Sequence, residues 1–243
     1  MNKMFSFVIP AYNEEKYLLA CLESIVNQIG GFDYEIIVVD NNSIDRTAII
    51  AREFGVEVIG EKKQGVGQAR KTGTEKADGT YIVHLDADSR LSVDYIQKAY
   101  NYFQKDNKLV CLGGWIKFYD AGWCQNFLRI TLQPVLHIFT FVFSRGCLGP
   151  MGNNMVFKKE IYNKTSGFDS DLCYGEDADL AKKMSMFGKV RLFKRLQCDV
   201  SARRFNFNDK NFWIYVLNFF SIFSKKYPYN NTLPRLDEDE LTK

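Results

Sequence analysis

The chain has 243 residues, a length that suits one large α/β domain and is short for two independent domains. Hydrophobic residues make up 46% of the sequence and charged residues 25%, which excludes a mainly disordered, collagen-like or low-complexity chain. The formal net charge of +3 is too small to indicate a nucleic-acid-binding surface, so we expect no nucleic acid among the partners.

Short β-branched runs alternate with stretches of helical spacing in the first half of the chain. The predicted strands cover residues 5–10, 34–40, 56–59 and 81–86, and the predicted helices cover residues 14–28, 47–54 and 67–76. Apolar side chains recur every three or four residues in the first helix, and Asn13 is placed to cap it. This alternation predicts a parallel sheet covered by helices, and the continuous apolar strands predict burial on both faces.

The order of elements changes in the second half. We predict helices over residues 92–103 and 177–187, strands over 109–118, 155–157 and 190–193, and two aromatic segments at 127–143 and 212–223. The fold class is therefore α/β and Rossmann-like, with a mostly parallel central sheet flanked by helices and with aromatic C-terminal helices.

Cysteine spacing and the N-terminal sequence bear on the compartment. The six cysteines lie far apart without the paired spacing of a zinc site, so we expect buried free thiols. The first apolar run is too short for a signal peptide, so we expect a chain that faces the cytoplasm.

Polar side chains follow three of the predicted parallel strands at their carboxyl ends, in residues 10–14, 40–43 and 86–88. Ligands bind at this edge of such sheets. Asp86 and Asp88 are placed so that one carboxylate reaches a ribose and the other a divalent cation, since Mg²⁺ and Mn²⁺ favour one or two carboxylates with phosphate oxygens and water. Taken alone, this pair is a weak signal, and a solvated turn is the more common explanation.

Two further motifs have open interpretations. Glu176 and Asp177 open a predicted helix, where Asp177 is either a cap or a general base held at a cleft edge. Arg70 follows a glycine-rich loop that matches neither a Walker motif nor a dinucleotide fingerprint, so it either meets a phosphate or lies exposed on a helix.

In combination these segments resemble the inverting family-2 glycosyltransferases of the glycosyltransferase A fold, over residues 5–205. The matching segments are residues 8–14, 37–43 with Asp45 and Thr47, 65–70, 85–88, 152–154 before 167–169, and 175–177 with Asp179 and Leu180. Their order along the chain is that of the family.

The resemblance implies a role for each matching residue. The nucleotide sugar would be held by Pro10, Ala11, Tyr12, Glu14, Asp40, Asn42, Gly67, Arg70 and Asp86. Asp88 would bind Mn²⁺ or Mg²⁺ at the diphosphate, and Asp177, beside Glu176, would deprotonate an acceptor hydroxyl that attacks the anomeric carbon in line. Asn153, Asn154, Arg203 and Arg204 are assigned to the acceptor or to a phosphate. Residues 201–205 lack the Gln and Trp of the QxxRW segment, so a processive synthase is not expected.

The resemblance also implies an organisation and a setting. Residues 1–205 would form the catalytic domain, with a nucleotide-binding half at 1–105 and an acceptor-binding half at 106–205, and residues 206–243 a C-terminal aromatic helix and acidic tail. The partners would be a nucleotide-diphosphate sugar donor and a glycan or lipid-linked acceptor. The aromatic segments are too interrupted or too short to span a bilayer, so they either lie on the inner face of the cell membrane or pack on the sheet.

Three alternatives fit less well. A haloacid-dehalogenase-type phosphatase carries its aspartate pair on the first strand with a small hydroxyl residue after it, whereas here the pair follows the fourth strand and Arg90 stands at that place. A nucleotidyltransferase would have a glycine-rich, lysine-bearing first loop, which is absent. An inactive binding module would have lost Asp88 or Asp177. Release of nucleoside diphosphate from a nucleotide sugar discriminates among them.

Overall fold

The computed structural model describes residues 3–123, 126–127, 131, 152–172 and 175–203. The strands within these ranges are β1 (Phe5–Ala11), β2 (Tyr34–Asp40), β3 (Glu57–Gly60), β4 (Tyr81–Leu85), β5 (Ser89–Leu91), β6 (Leu109–Phe118), β7 (Asn154–Lys158) and β8 (Lys189–Val200). The helices are α1 (Leu18–Val26), α2 (Thr47–Phe54), α3 (Val66–Lys76), α4 (Tyr95–Lys105), α5 (Lys159–Tyr162) and α6 (Glu176–Ser185).

All of these strands form one eight-stranded sheet in the order β3-β2-β1-β4-β7-β6-β8-β5. The first four strands of the chain pair in parallel, as predicted. The second half is mixed, because β7 runs antiparallel to both β4 and β6, while β8 is parallel to β6 and antiparallel to β5. The reversal of β7 places its first residue, Asn154, opposite Leu85 at the end of β4. Residues 152–154 therefore lie at the edge where ligands bind.

Strands β1, β4 and β7 are buried on both faces, which confirms the interpretation of their continuous apolar runs, whereas β3 at the sheet edge has no buried residue. On one face Phe7 and Ile9 pack with side chains of α1 and α4, and on the other face Val8 packs with side chains of α3 and α6. Alternation along β1 sends successive side chains to opposite helical layers. The second of these layers holds α3 and α6, the helices that carry Arg70 and Glu176.

The predicted cap of α1 is wrong. The helix begins at Leu18 with Tyr17 as its N-cap residue, and no side chain caps it. Asn13 instead has a left-handed φ of 54° and lies in the loop before the helix. Its Oδ1 atom accepts the backbone N–H of Ile44 at 2.9 Å. The Asn13 side chain is thus used to join two loops instead of opening a helix.

Other differences concern the second half. The last strand is longer than the four residues predicted, and the sequence did not indicate β5, which has only three residues and includes Arg90. The aromatic segments, apart from Phe127 and Thr131, lie outside the described residues, as do Arg204 and the tail 206–243. No helix in the described ranges is long and apolar enough to cross a bilayer. Cys21, Cys111 and Cys198 are buried free thiols, as predicted.

Candidate active site

The loop after β1 is fastened to the loop after β2 by hydrogen bonds. The backbone N–H of Asn13 donates to Ser43 Oγ at 3.0 Å, and the backbone N–H of Glu14 donates to Thr47 Oγ1 at 2.7 Å. In the sheet, Ala11 lies opposite the last residue of β2. The predicted nucleotide-binding residues of the two loops therefore share one rigid edge. They are Pro10, Ala11, Tyr12, Glu14 and Asp40.

Asn41 organises the next loop and was missed by the sequence reasoning, which singled out Asn42. Its Nδ2 atom donates to the backbone oxygens of Glu61 and Lys63 at 2.9 and 3.0 Å, and its Oδ1 atom accepts the N–H of Gly65 at 2.8 Å. Asn41 is buried, while Asn42 is exposed with a left-handed φ of 67°. Through these hydrogen bonds, the buried Asn41 amide positions the start of α3. An asparagine directly after a buried strand is the signal that could have indicated it.

Arg70 is buried at the centre of the site, so the exposed-arginine alternative is wrong. Only 4% of the residue is exposed. Its Nη2 atom donates to Asp86 Oδ1 at 2.7 Å, and its Nη1 atom donates to Glu176 Oε1. Burial alone would lower the pKa of Arg70, but the charges of Asp86 and Glu176 outweigh it and hold the pKa above its ordinary value. One guanidinium thus joins α3, the end of β4 and the start of α6.

Glu176 is buried against this guanidinium, with 5% of the residue exposed. Burial raises the pKa of Glu176 to about 7, the Arg70 charge opposes that rise, and the Asp177 charge adds to it. The direction is upward because the cost of burying the charged carboxylate outweighs the attraction of Arg70. This carboxyl group therefore keeps its proton to a higher pH than an ordinary glutamate.

Asp177 is held by two backbone N–H groups. Its Oδ2 atom accepts the N–H of Gly152 at 2.8 Å, and its Oδ1 atom accepts the N–H of Ala178 at 2.7 Å. The N-cap residue of α6 is Gly175, with a left-handed φ of 79°, so Asp177 is not the capping residue. The side chain stays half-buried and bridges to a second segment of chain, as a rigidly held base requires.

The carboxylates of Asp86 and Asp88 diverge toward two different arginines. Asp86 pairs with Arg70, while Asp88 Oδ2 accepts Arg203 Nε at 3.1 Å. Only 5% of Asp88 is exposed, so the solvated-turn alternative is wrong. Arg203 also pairs with Glu14 through Nη2, and its guanidinium carbon lies 4.4 Å from the centre of the Tyr17 ring.

The surroundings of Asp88 fit a divalent cation. They already accommodate a positive group, because two nearly buried carboxylates, Asp88 and Glu14, meet the Arg203 guanidinium. Hard carboxylate oxygens are the donors that Mg²⁺ and Mn²⁺ prefer. Among the described residues no group of three or more His, Cys, Asp or Glu side chains converges on one point, so the remaining oxygens would come from phosphate and water.

His84 has a packing role, as the sequence indicated. It is fully buried, its ring stacks on Phe157 at 5.4 Å between centroids, and its Nε2 atom lies 2.8 Å from Thr74 Oγ1. Burial and the Arg70 charge hold the pKa of His84 well below its usual range. A neutral imidazole in this position supports α3 from beneath. His137 lies outside the described residues.

The remaining predicted residues belong to the framework that surrounds the site. Asn154 is fully buried, and its Oδ1 atom accepts the N–H of Gly114 at 2.8 Å. Asn153 is half-buried beside it. A Cβ built on Gly67 would lie 3.4 Å from Glu176 Cβ, so this glycine lets α3 approach α6 closely. These contacts are structural, and the ligand-binding roles of Gly67, Asn153 and Asn154 stay predictions.

Comparisons of sequence identify relatives. The sequence model described as glycosyl transferase family 2 matches residues 6–165. The minor teichoic acid biosynthesis protein GgaB of Bacillus subtilis is 37% identical over 226 residues, which cover 83% of this chain and 24% of that protein. A chondroitin synthase of Escherichia coli is 27% identical over 208 residues, 79% of this chain and 28% of that protein. The chain thus spans about a quarter of the length of these relatives.

Comparisons of structure give the same fold. The mannosyltransferase PcManGT from Pyrobaculum calidifontis, in complex with GDP-Man and Mn²⁺, has a TM-score of 0.73 at 19% identity and covers 96% of this chain and 66% of its own. Residues 1–349 of S. aureus TarS have a TM-score of 0.65 at 18% identity and cover 97% of this chain and 77% of their own. With the fold confirmed and the family model matched over most of the described sheet, this chain belongs to glycosyl transferase family 2.

Proposed function

We propose that this chain transfers a sugar, with inversion, from a nucleoside-diphosphate sugar to an acceptor hydroxyl or a lipid phosphate in the synthesis of a cell-surface glycan. One observation carries the proposal: the Asp177 carboxylate is fixed beside Arg70 at the ligand edge of the sheet by the N–H of Gly152. Asp86 and Asp88 stand at the same edge on the donor side. A base and a donor site so placed suit in-line displacement.

The donor side of the reaction rests on the fastened loops. Glu14 and Asp40 stand at the ends of adjacent strands, where a base and ribose lie in sheets of this kind. A Mn²⁺ or Mg²⁺ ion held by Asp88 would neutralise the diphosphate that departs. Arg203, which contacts Asp88 in this structure, is then near enough to pair with a phosphate oxygen.

The acceptor side depends on Asp177. Its carboxylate takes the proton of the acceptor hydroxyl while that oxygen forms a bond to the anomeric carbon. The bond between that carbon and the diphosphate oxygen breaks on the opposite side, and its electron pair leaves with the diphosphate. Glu176 is buried and pairs with Arg70, and we assign it a role beside Asp177 in the acceptor half of the site.

Relatives support the classes of donor and acceptor. The structural neighbours include a GDP-Man and Mn²⁺ complex and a UDP-GlcNAc complex, and GgaB is named for minor teichoic acid biosynthesis. These names favour a nucleotide-sugar donor, a divalent metal and a glycan acceptor for this chain. The division into halves at 1–105 and 106–205 and the contact with a membrane surface are part of the proposal. Exposed rings of Trp123 and Phe127 at the first aromatic segment favour the membrane contact.

A panel of nucleotide sugars tests the proposal, with diphosphate release measured in Mn²⁺ and in excess chelator. We expect one sugar to be turned over in metal only, and Asp177→Asn to lower kcat by about 10² to 10⁴-fold with little change in donor binding. Asp179→Asn is the matched control, because this carboxylate lies two residues further along α6, pairs with Lys183, and should be dispensable. Asp88→Asn should remove most activity while the fold stays intact.

Three results would contradict this assignment. Full activity in chelator would exclude the metal, and an unchanged kcat in Asp177→Asn would exclude the base. If Asp179→Asn lost as much activity as Asp177→Asn, the effect would belong to the helix and not to one carboxylate.

A further inference from the structure

The Arg70 guanidinium packs against the backbone that holds Asp177. A Cβ built on Gly152 would overlap the guanidinium carbon and both of its terminal nitrogens, so only glycine permits this contact. The N–H of the same glycine donates to Asp177 Oδ2 at 2.8 Å. Any movement of Arg70 therefore changes the room available to the group that orients the carboxylate.

Arg70 is itself fixed from several sides. Its two terminal nitrogens meet Asp86 and Glu176, and its backbone oxygen accepts Thr74 Oγ1 at 2.7 Å. The side chain is buried with 5% exposed, and buried charged groups move little once paired. Arg70 is thus a rigid surface for Gly152 to rest on.

Gly152 is fixed from its other side by the sheet. Asn154 begins β7 and pairs with Leu85, the last residue of β4, and Asp86 follows Leu85 directly. Asp86 and Gly152 are therefore neighbours near the ends of two adjacent strands. The Arg70 guanidinium donates to Asp86 and lies against Gly152.

We propose that Arg70 is a positioning residue for the base. It holds the Gly152 N–H in line with Asp177 Oδ2 and ties that geometry to the donor-side carboxylate Asp86. This inference rests on the proposed function, since it assigns Asp177 as base. Arg70 itself does not touch the reacting atoms.

A double-mutant cycle tests the inference with the nucleotide sugar found active in the panel. Arg70→Lys keeps the positive charge but lacks the two arms that span Asp86 and Glu176. We expect kcat to fall about 10 to 100-fold, since displacement of a catalytic group by about 1 Å costs up to about 10²-fold. In the Asp177→Asn background, Arg70→Lys should change kcat by less than about twofold, because the group that it orients is already gone. Arg52→Lys is the control, an exposed arginine on α2.

A second measurement does not depend on turnover. In the ¹H–¹⁵N spectrum of the full chain, the Gly152 amide resonance should move upfield in Asp177→Asn, where its charged acceptor is lost. Arg70→Lys should move the same resonance in the same direction, and Arg52→Lys should leave it in place.

Gly152→Ala perturbs the same contact from the other side. Arg70 is buried, so Arg70→Lys could fail to fold, and Gly152→Ala then still tests the contact. The backbone of Gly152 is not in the left-handed region, so the position does not require glycine for its backbone conformation. We expect a kcat loss of the size seen for Arg70→Lys, with nucleoside diphosphate affinity by calorimetry within about twofold of the wild type.

The outcomes separate the two claims. If Asp177→Asn keeps full kcat, the proposed function fails and the inference falls with it. If Asp177→Asn is impaired but Arg70→Lys costs as much in that background as alone, or leaves the Gly152 resonance unmoved, Arg70 acts elsewhere. In that case the positioning role is overturned and the base assignment stands.

Discussion

Two arginines at the ligand edge each lie between two carboxylates, yet their surroundings differ. Arg70 projects from α3 and meets Asp86 and Glu176, and 5% of its side chain is exposed. Arg203 follows the last strand and meets Glu14 and Asp88, and 20% of its side chain is exposed. Both clusters contain one guanidinium and two carboxylates, but water reaches Arg203 more readily than Arg70.

This difference in exposure distinguishes a cluster that stabilises the fold from one whose guanidinium can be replaced. A buried charge that loses its partner stays uncompensated, which destabilises a fold strongly. A guanidinium at the solvent boundary can be replaced by water or by another cation at small cost. We therefore interpret Arg70 as permanent framework and Arg203 as a residue whose partners change when ligands bind.

The sharpest test of the comparison is the stability of Arg70→Met against Arg203→Met. Removal of Arg70 leaves two carboxylates without their buried cation, so we expect the free energy of unfolding to fall by about 3 to 5 kcal/mol. Removal of Arg203 should lower it by about 1 to 2 kcal/mol, because this guanidinium is partly exposed and its removal lets water in to Glu14 and Asp88. Urea unfolding of both variants measures the difference, and equal losses would refute the distinction between the clusters.

A second test uses the proton on Glu176. Its pKa in the folded chain is about 7, against an ordinary value of 4.5, so between these values the folded state keeps a proton that the unfolded chain has lost. The free energy of unfolding should therefore be highest below the lower value and decline as pH rises through the upper one, by about 1 to 3 kcal/mol from this group.

Glu176→Gln removes that titration, so its stability should change less with pH over the same window. Urea unfolding of wild type and variant at about pH 5, 6 and 7.5 gives the two slopes. Parallel slopes would mean that Glu176 ionises in the folded chain as it does in the unfolded one, and the Arg70 cluster would then be an ordinary ion pair.

The smallest effect is expected at the Arg203 cluster, whose guanidinium is partly exposed. Arg203 and a divalent cation cannot both neutralise Asp88, so Arg203→Gln should tighten binding of Mn²⁺ alone by about two- to fivefold, the equivalent of a partly exposed ion pair. Electron paramagnetic resonance of free Mn²⁺ measures it, and Asp88→Asn should abolish the same binding. Weaker binding in Arg203→Gln would show that the guanidinium assists the metal instead of competing with it.

The sequence predicted the parallel half of the fold well because its signals are local. Continuous apolar runs placed β1, β2 and β4 within a residue of their observed ends, and Asp86 and Asp177 were found because each stands at an element boundary. Strand ends and helix starts are readable from neighbours along the chain.

What could not be predicted depends on contacts distant in sequence. Arg203 and Glu14 lie 189 residues apart, and Arg70 and Glu176 lie 106 apart, so no local pattern indicates either pair. The burial of Arg70 follows from the close approach of Gly152, which lies two residues before β7. The predicted cap at Asn13 failed for a related reason: its side chain accepts the N–H of Ile44 in another loop and not an N–H of the helix.

The position of β5 at the sheet edge bears on how the protein is made. Among the described strands, β5 has three residues and pairs only with β8, and the N–H of Ser201 reaches the backbone oxygen of Asp88 at 3.3 Å. On a ribosome that adds roughly 5 to 20 residues per second, β1 to β4 emerge about 5 to 20 s before β8 does. After β6 and β7 have emerged and until β8 follows, β6 lacks its neighbour and offers an open edge to other nascent chains. Slower translation through the segment before β8 would therefore lengthen the time in which the new chain is open to aggregation.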